Sequence, residues 1–145
     1  MYFFTNLYKI YNSYFIKLYK IIIMNYKPIN FKSKLACFND LWSPKVIAEM
    51  NDYQFKLVKI KGDFQWHCHE ETDETFLVLQ GEIRIKFRDG YVDLKKGEMY
   101  VVPKNKEHMP CCEKEAKVLL IEPKNVVNTG NSKSSKLTAE NNVWI

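Results

Sequence analysis

The chain contains three histidines, and two of them stand together as His67-Cys68-His69. Alternate side chains of an extended segment share a face, so both imidazoles point one way and Cys68 points the other. Glu74 follows five residues after His69, where the apolar run 75–79 begins, and a short hairpin there brings its carboxylate back beside the two rings. The third histidine, His108, is read as lying in the loop after Val101-Val102-Pro103, from which an adjacent strand delivers it to the same interior. Three imidazoles and one carboxylate are N/O donors that suit Fe, Mn, Co, Ni, Cu or Zn and leave positions open for water, dioxygen or a chelating substrate. Calcium and magnesium prefer all-oxygen shells and fit this set poorly. A His-x-His pair alone is more readily a polar strand face. Against that reading, every histidine in the chain joins one set with a spaced glutamate.

Neighbouring residues are assigned by the same parity. Gln65 shares the face of His67 and His69, where it either hydrogen-bonds a metal-bound water or substrate or is a plain polar residue at a barrel mouth. Phe76 and Val78 share the inward parity of Glu74 and form either an apolar pocket wall or ordinary core. Trp66 has the opposite parity and is expected to pack against a second sheet or a partner. Glu70, Glu71 and Asp73 read as a charged hairpin rim, with Glu74 preferred as ligand on spacing.

The elements that must position these residues are short β-segments. Residues 53–61 mix aromatic, β-branched and Lys residues, 75–79 is apolar enough to be buried on both faces, and 82–88 alternates strictly, with Ile83, Ile85 and Phe87 opposite Glu82, Arg84 and Lys86. Asp89-Gly90 is read as the positive-φ pair of a tight hairpin into 91–94; Lys96-Gly97 turns into 99–102, and 118–121 follows a further polar stretch. Strands recurring about every 8–12 residues with hairpin turns define a sandwich or barrel. No stretch beyond Tyr53 carries helical periodicity, so helices are confined to the ends. The turn-rich segment 124–136 is followed by Leu137 and Val143-Trp144-Ile145, which restore apolar character and are expected to cover the barrel or a partner subunit.

At 145 residues the chain is one domain's worth. Its net charge of +5 comes from scattered lysines with only two arginines, Arg84 and Arg88, and forms no dense basic run, which argues against nucleic-acid binding. The four cysteines, Cys37, Cys68, Cys111 and Cys112, are too sparse for a disulfide scaffold, and a bridge between adjacent residues needs a strained ring. Free thiols and a reducing cytoplasm are expected. Residues 1–25 are expected to be an N-terminal extension, either a loose segment or sequence upstream of a true start at Met24, and 26–145 the folded domain. Lys9, Lys17 and Lys20 interrupt every apolar run in 1–23, so no span reaches the ~18 apolar residues of a membrane helix.

Two motifs in order resemble the cupin superfamily, particularly its small single-domain members. The first is Gly62, four residues, His67-Cys68-His69, four residues, Glu74, six residues, Gly81; the second is Gly97, five residues, Pro103-Lys104-Asn105, two residues, His108, three residues, Cys112. The first spacing is one residue shorter than the family's, Asn105 stands for a turn glycine, and Cys112 stands for a final asparagine. Asn tolerates positive φ better than other non-glycine residues, so the turn should survive. Cys112 puts in question the hydrogen bond an asparagine would have made around the metal. The resemblance implies an all-β, antiparallel double-stranded β-helix (jelly-roll) barrel with short irregular ends, one divalent transition metal on His67, His69, Glu74 and His108, and homodimers that exchange edge strands. It implies no single activity: dioxygenases, isomerases, decarboxylases and non-enzymatic small-molecule binders share the pattern. The expectation is thus a metal-binding protein that binds or transforms a small oxygen-rich molecule, or a metal-containing binding or storage module.

Overall fold

The computed structural model describes residues 26–132 and 135–145; the expected N-terminal extension, 1–25, lies outside the described residues. A short helix α1 (Phe31–Leu35) precedes seven strands, β1 (Lys45–Met50), β2 (Tyr53–Asp63), β3 (Glu74–Gln80), β4 (Glu82–Phe87), β5 (Gly90–Lys95), β6 (Met99–Val102) and β7 (His108–Pro123). Asn30 caps α1, its side-chain oxygen accepting from the Ser33 amide at 2.9 Å. All named strand pairs are antiparallel, in the order β1-β2-β7-β3-β6, with β4 bridging β5 and β7. This is the all-β jelly-roll barrel expected.

Strand β7 is the spine. Its residues 117–121 lie between β2 and β3, and Cys111 pairs with both Asp63 of β2 and Arg84 of β4. Period-two alternation decides what fills the barrel. Val58 and Ile60, Phe76 and Val78, Ile83 and Ile85, and Val118 and Leu120 form the inward core. The outward residues Leu57, Leu119 and Ile47 instead pack beneath Leu35 and Phe38 of the α1 region.

Two local expectations are corrected. His108 is not in a loop: it is the first residue of β7, paired with Phe87 and bridged to His67. The β4–β5 hairpin turns one residue early, with Phe87 opposite Gly90, so the loop is Arg88-Asp89, and none of these residues takes positive φ. The ladder keeps the alternation of β4 intact to Phe87, and that register leaves Gly90 inside β5. Asn105 does take the left-handed conformation, at φ 61°, as expected for a residue standing in for glycine.

Candidate metal centre

His67, His69, Glu74 and His108 come together in the barrel interior, their donor atoms all within 4.8 Å of one another. All four are buried, His108 completely. Three elements deliver them. Glu74 opens β3, His108 opens β7, and the 64–69 segment is pinned across β7 by paired hydrogen bonds, the His67 amide to His108 O at 3.1 Å and the His108 amide to His67 O at 2.9 Å. Asn105, at its positive φ, points its amide at His69 O at 2.8 Å, so the second motif's turn also ties down the first.

The ring orientations are set from behind. His67 Nδ1 donates to Gln65 O at 3.0 Å and His108 Nδ1 donates to Lys106 O at 2.9 Å. A carbonyl can only accept, so both rings carry a proton on Nδ1; Nε2 of His67 turns its lone pair inward, and Nε2 of His108 faces Glu74 Oε2, a bond that needs a proton between the two atoms. Glu74 Oε2 lies 3.2 Å from His108 Nε2 and 3.3 Å from His69 Nε2. The second contact is out of line for a hydrogen bond, and Nε2 of both His67 and His69 is buried without a hydrogen-bond partner. Orphaned buried nitrogens are costly and need an explanation. A cation accepting lone pairs from these atoms supplies one, and the three-nitrogen, one-carboxylate set suits a borderline transition ion.

Electrostatics separate the four groups. Burial, with the neighbouring His108 adding to it, lowers His67 to about 4, so its ring is neutral and a competent ligand at neutral pH. Burial acts in the opposite sense on Glu74, but the two histidines beside it outweigh that and hold the carboxyl below its usual range. For His69, burial favours the neutral ring, yet the adjacent Glu74 carboxylate overcomes it and raises the value.

The other expected residues fall around this centre. Gln65 reaches it through its backbone, because its side-chain amide donates to Ser132 Oγ and accepts from Ser135 Oγ. Cys112 donates its thiol to Ile60 O at 3.4 Å. Trp66 stacks under Arg88, the guanidinium 3.8 Å from the ring centroid. Glu70, Glu71 and Asp73 are exposed on the rim. All four cysteines are free thiols. Phe76, Ile60, Leu120 and Trp42 line a small cavity of about 30 Å³ beside His67 and Glu74.

One buried pair escaped the sequence reading. Lys56 Nζ lies 2.9 Å from Glu122 Oε1, both side chains nearly inaccessible, and Glu122 Oε2 has no partner. Burial, reinforced by nearby Glu74, raises Glu122 to about 7. The available signal was parity: Lys56 precedes Val58 and Ile60, and Glu122 follows Val118 and Leu120, at the spacing that faces the interior.

An antiparallel jelly-roll barrel with three histidines and a glutamate converging inside it defines a cupin. Residues 56–122 match the cupin domain family. A crystal structure of a cupin-2 domain containing protein from Shewanella frigidimarina superposes with a TM-score of 0.65 at 56% identity, covering 66% of this chain and 94% of that one. The chain belongs to the cupin family. It is also similar to Bacillus subtilis YdbB, 38% identical over 63 residues, and to 3-hydroxyanthranilate 3,4-dioxygenase 2 of Aspergillus fumigatus, 33% identical over 82 residues; these cover 43% and 51% of this chain. The chain spans about half the length of these curated relatives, 56% and 42% respectively.

Proposed function

We propose that His67, His69, Glu74 and His108 hold one divalent transition metal, and that the cavity beside them binds and transforms a small oxygen-rich molecule. The observation that carries this reading is the pair of buried, unpartnered Nε2 atoms on His67 and His69, set among donors within 4.8 Å. A metal there would supply Lewis-acid polarisation of a substrate oxygen or, if redox-active, dioxygen activation. The protein's own part is to present neutral rings through the Nδ1 bonds, to supply the Glu74 carboxylate, and to keep bulk water off with Phe76, Ile60 and Leu120. The dioxygenase name of the Aspergillus relative makes iron and oxygen uptake the first chemistry to test.

Residues 26–145 act as one domain in this reading, supported by the return of the C-terminus to β1, where the Val46 amide donates to Val143 O at 2.7 Å. The partner is a second copy of the chain. Leu57 and Leu119 on the outward face are already covered by Leu35 and Phe38, but the β3-β6 end of that face carries Leu77, Met99 and Val101, with Met99 and Val101 exposed at its edge. The free thiols suit the cytoplasm. No helix among the described residues is long and apolar enough to cross a membrane.

The test is metal analysis by mass spectrometry of protein purified without added metal or chelator, beside a His67→Ala/His108→Ala double variant. About one metal per chain, lost in the variant, is the expected result. A wild type that is metal-free and takes up no Fe, Mn, Co, Ni, Cu or Zn on titration refutes the reading. Oxygen uptake over a panel of small phenols and enediols with Fe(II) then separates catalysis from a binding or storage role.

A further inference from the structure

We propose that the chain segment 128–132, beyond the stretch that matches the cupin family, is a positioning element for the metal ligands His67 and His69, with Asn131 and Gly130 as its working residues. The inference rests on the metal reading above. Its basis is a clamp around the residue between the two ligands. The Asn131 amide donates to Cys68 O at 2.9 Å, and Asn131 Oδ1 accepts from the Cys68 amide at 3.1 Å. One residue therefore satisfies both backbone polar groups of Cys68. The His-Cys-His segment has a ladder partner only at His67, so without Asn131 the peptide groups on either side of Cys68 would lose these partners.

Gly130 permits the approach. It has φ +52°, and a β-carbon there would lie 2.1 Å from Cys68 O and 3.3 Å from His69 Nδ1. No side chain fits that gap without moving the ligand strand. The grip extends one step further back. Ser132 and Ser135 occupy both ends of the Gln65 amide, and the Gln65 carbonyl is the acceptor that orients the His67 ring.

The segment is itself anchored, so it can impose a position. Asn128 donates to Trp42 O at 3.1 Å and Leu137 O at 2.8 Å while accepting from the Ala139 amide at 2.9 Å. Thr129 is fully buried, with its hydroxyl 3.1 Å from that of Thr138. Further along, the Ile145 amide donates to Val46 O at 3.1 Å, fixing the end of the chain to β1. Residues within the family-matched stretch supply the ligands, and this downstream segment fixes the angle at which two of them are held.

The experiment compares full-length wild type, Asn131→Ala, Asn131→Asp, Gly130→Ala and the exposed control Lys136→Ala. Zn(II) and Co(II) affinities are measured by competition with a chromophoric chelator, together with the release rate into excess chelator and the visible spectrum of fully loaded Co(II) protein. Loss of a hydrogen bond behind a ligand costs about 10-fold in metal affinity. Asn131→Ala should therefore bind about 10-fold more weakly, release faster and show an altered Co(II) spectrum, and Gly130→Ala should be affected more. Asn131→Asp, which keeps the acceptor, and Lys136→Ala should match wild type. A residue that merely stabilised the fold would leave the spectrum of the loaded protein unchanged. Wild-type retention and spectra in both Asn131→Ala and Gly130→Ala overturn this assignment alone, whereas a wild type that binds neither ion overturns it together with the metal reading.

Discussion

Replacing Lys56 by methionine removes the ammonium that holds Glu122, a carboxyl already raised to about 7 by burial and by Glu74. The ordinary value is 4.5, so between about pH 4.5 and 7 the unfolded chain gives up a proton that the metal-free folded protein retains. The stability tied to this group is therefore complete below pH 4.5 and lost as pH rises through about 7, by about 3 kcal/mol. Methionine fills much of the space of the lysine stem but cannot balance the charge, and stranding one member of a buried pair costs about 3 kcal/mol or more. Glu122 escapes part of that cost by staying protonated. Lys56→Met should then lose about 1 kcal/mol more at pH 8 than at pH 5, because holding the proton at pH 8 costs one pH unit beyond the wild-type value of about 7, whereas at pH 5 the acid form prevails in both proteins. Urea unfolding of metal-free protein at the two pH values measures it. Lys56→Met/Glu122→Gln should lose the difference between them. An equal loss at pH 5 and pH 8 would show that the pair is not the source.

Asn105→Ala should destabilise by about 1 kcal/mol, because the position has φ 61°, while Asn105→Gly stays near wild type; thermal unfolding of the two variants decides it. Wild type should run as a dimer in light scattering, and Leu77→Glu/Met99→Lys should shift it to monomer while circular dichroism stays β-type, whereas a monomeric wild type refutes the assigned face. The Arg88 guanidinium, with Nε 2.7 Å from Glu107 Oε2, lowers the Glu107 carboxyl. A depressed acid adds stability above the ordinary carboxylate range that is lost as pH falls, so the Glu107 carboxyl resonance should titrate below the usual value in wild type and at it in Arg88→Gln.

Much of the barrel was legible because period-two alternation is a direct consequence of strand geometry. The run from Glu82 to Phe87 could bury only one face, and it does. The convergence of His67, His69, Glu74 and His108 was legible because the chain has few histidines and their spacing matches two motifs. What stayed hidden depends on contacts far apart in sequence. The 16-residue length of β7 was invisible because exposed Glu113, Lys114 and Glu115 look like a loop, although they sit in a strand that continues through them. Lys56 and Glu122 carry charges that normally mark a surface, and only their pairing across β2 and β7 allows burial. The clamp of Asn131 on Cys68 spans 63 residues and has no local signature at all.

The length of β7 bears directly on the chemistry. One continuous strand carries His108 at its start and Glu122 near its end, pairs with β4, β2 and β3 along the way, and so fixes a proposed ligand histidine and a buried carboxyl in one rigid frame. Glu74 faces that frame from the start of β3, paired with Val102 of β6 and next to Thr75, which pairs with Ile121 of β7. The His67–His69 segment has no such ladder: beyond the bridge at His67, it depends on the amides of Asn105 and Asn131. Two of the proposed ligands are thus set by the sheet and two by side attachments, which makes the His-x-His half the place where metal release should begin and where substitutions outside the barrel should be felt.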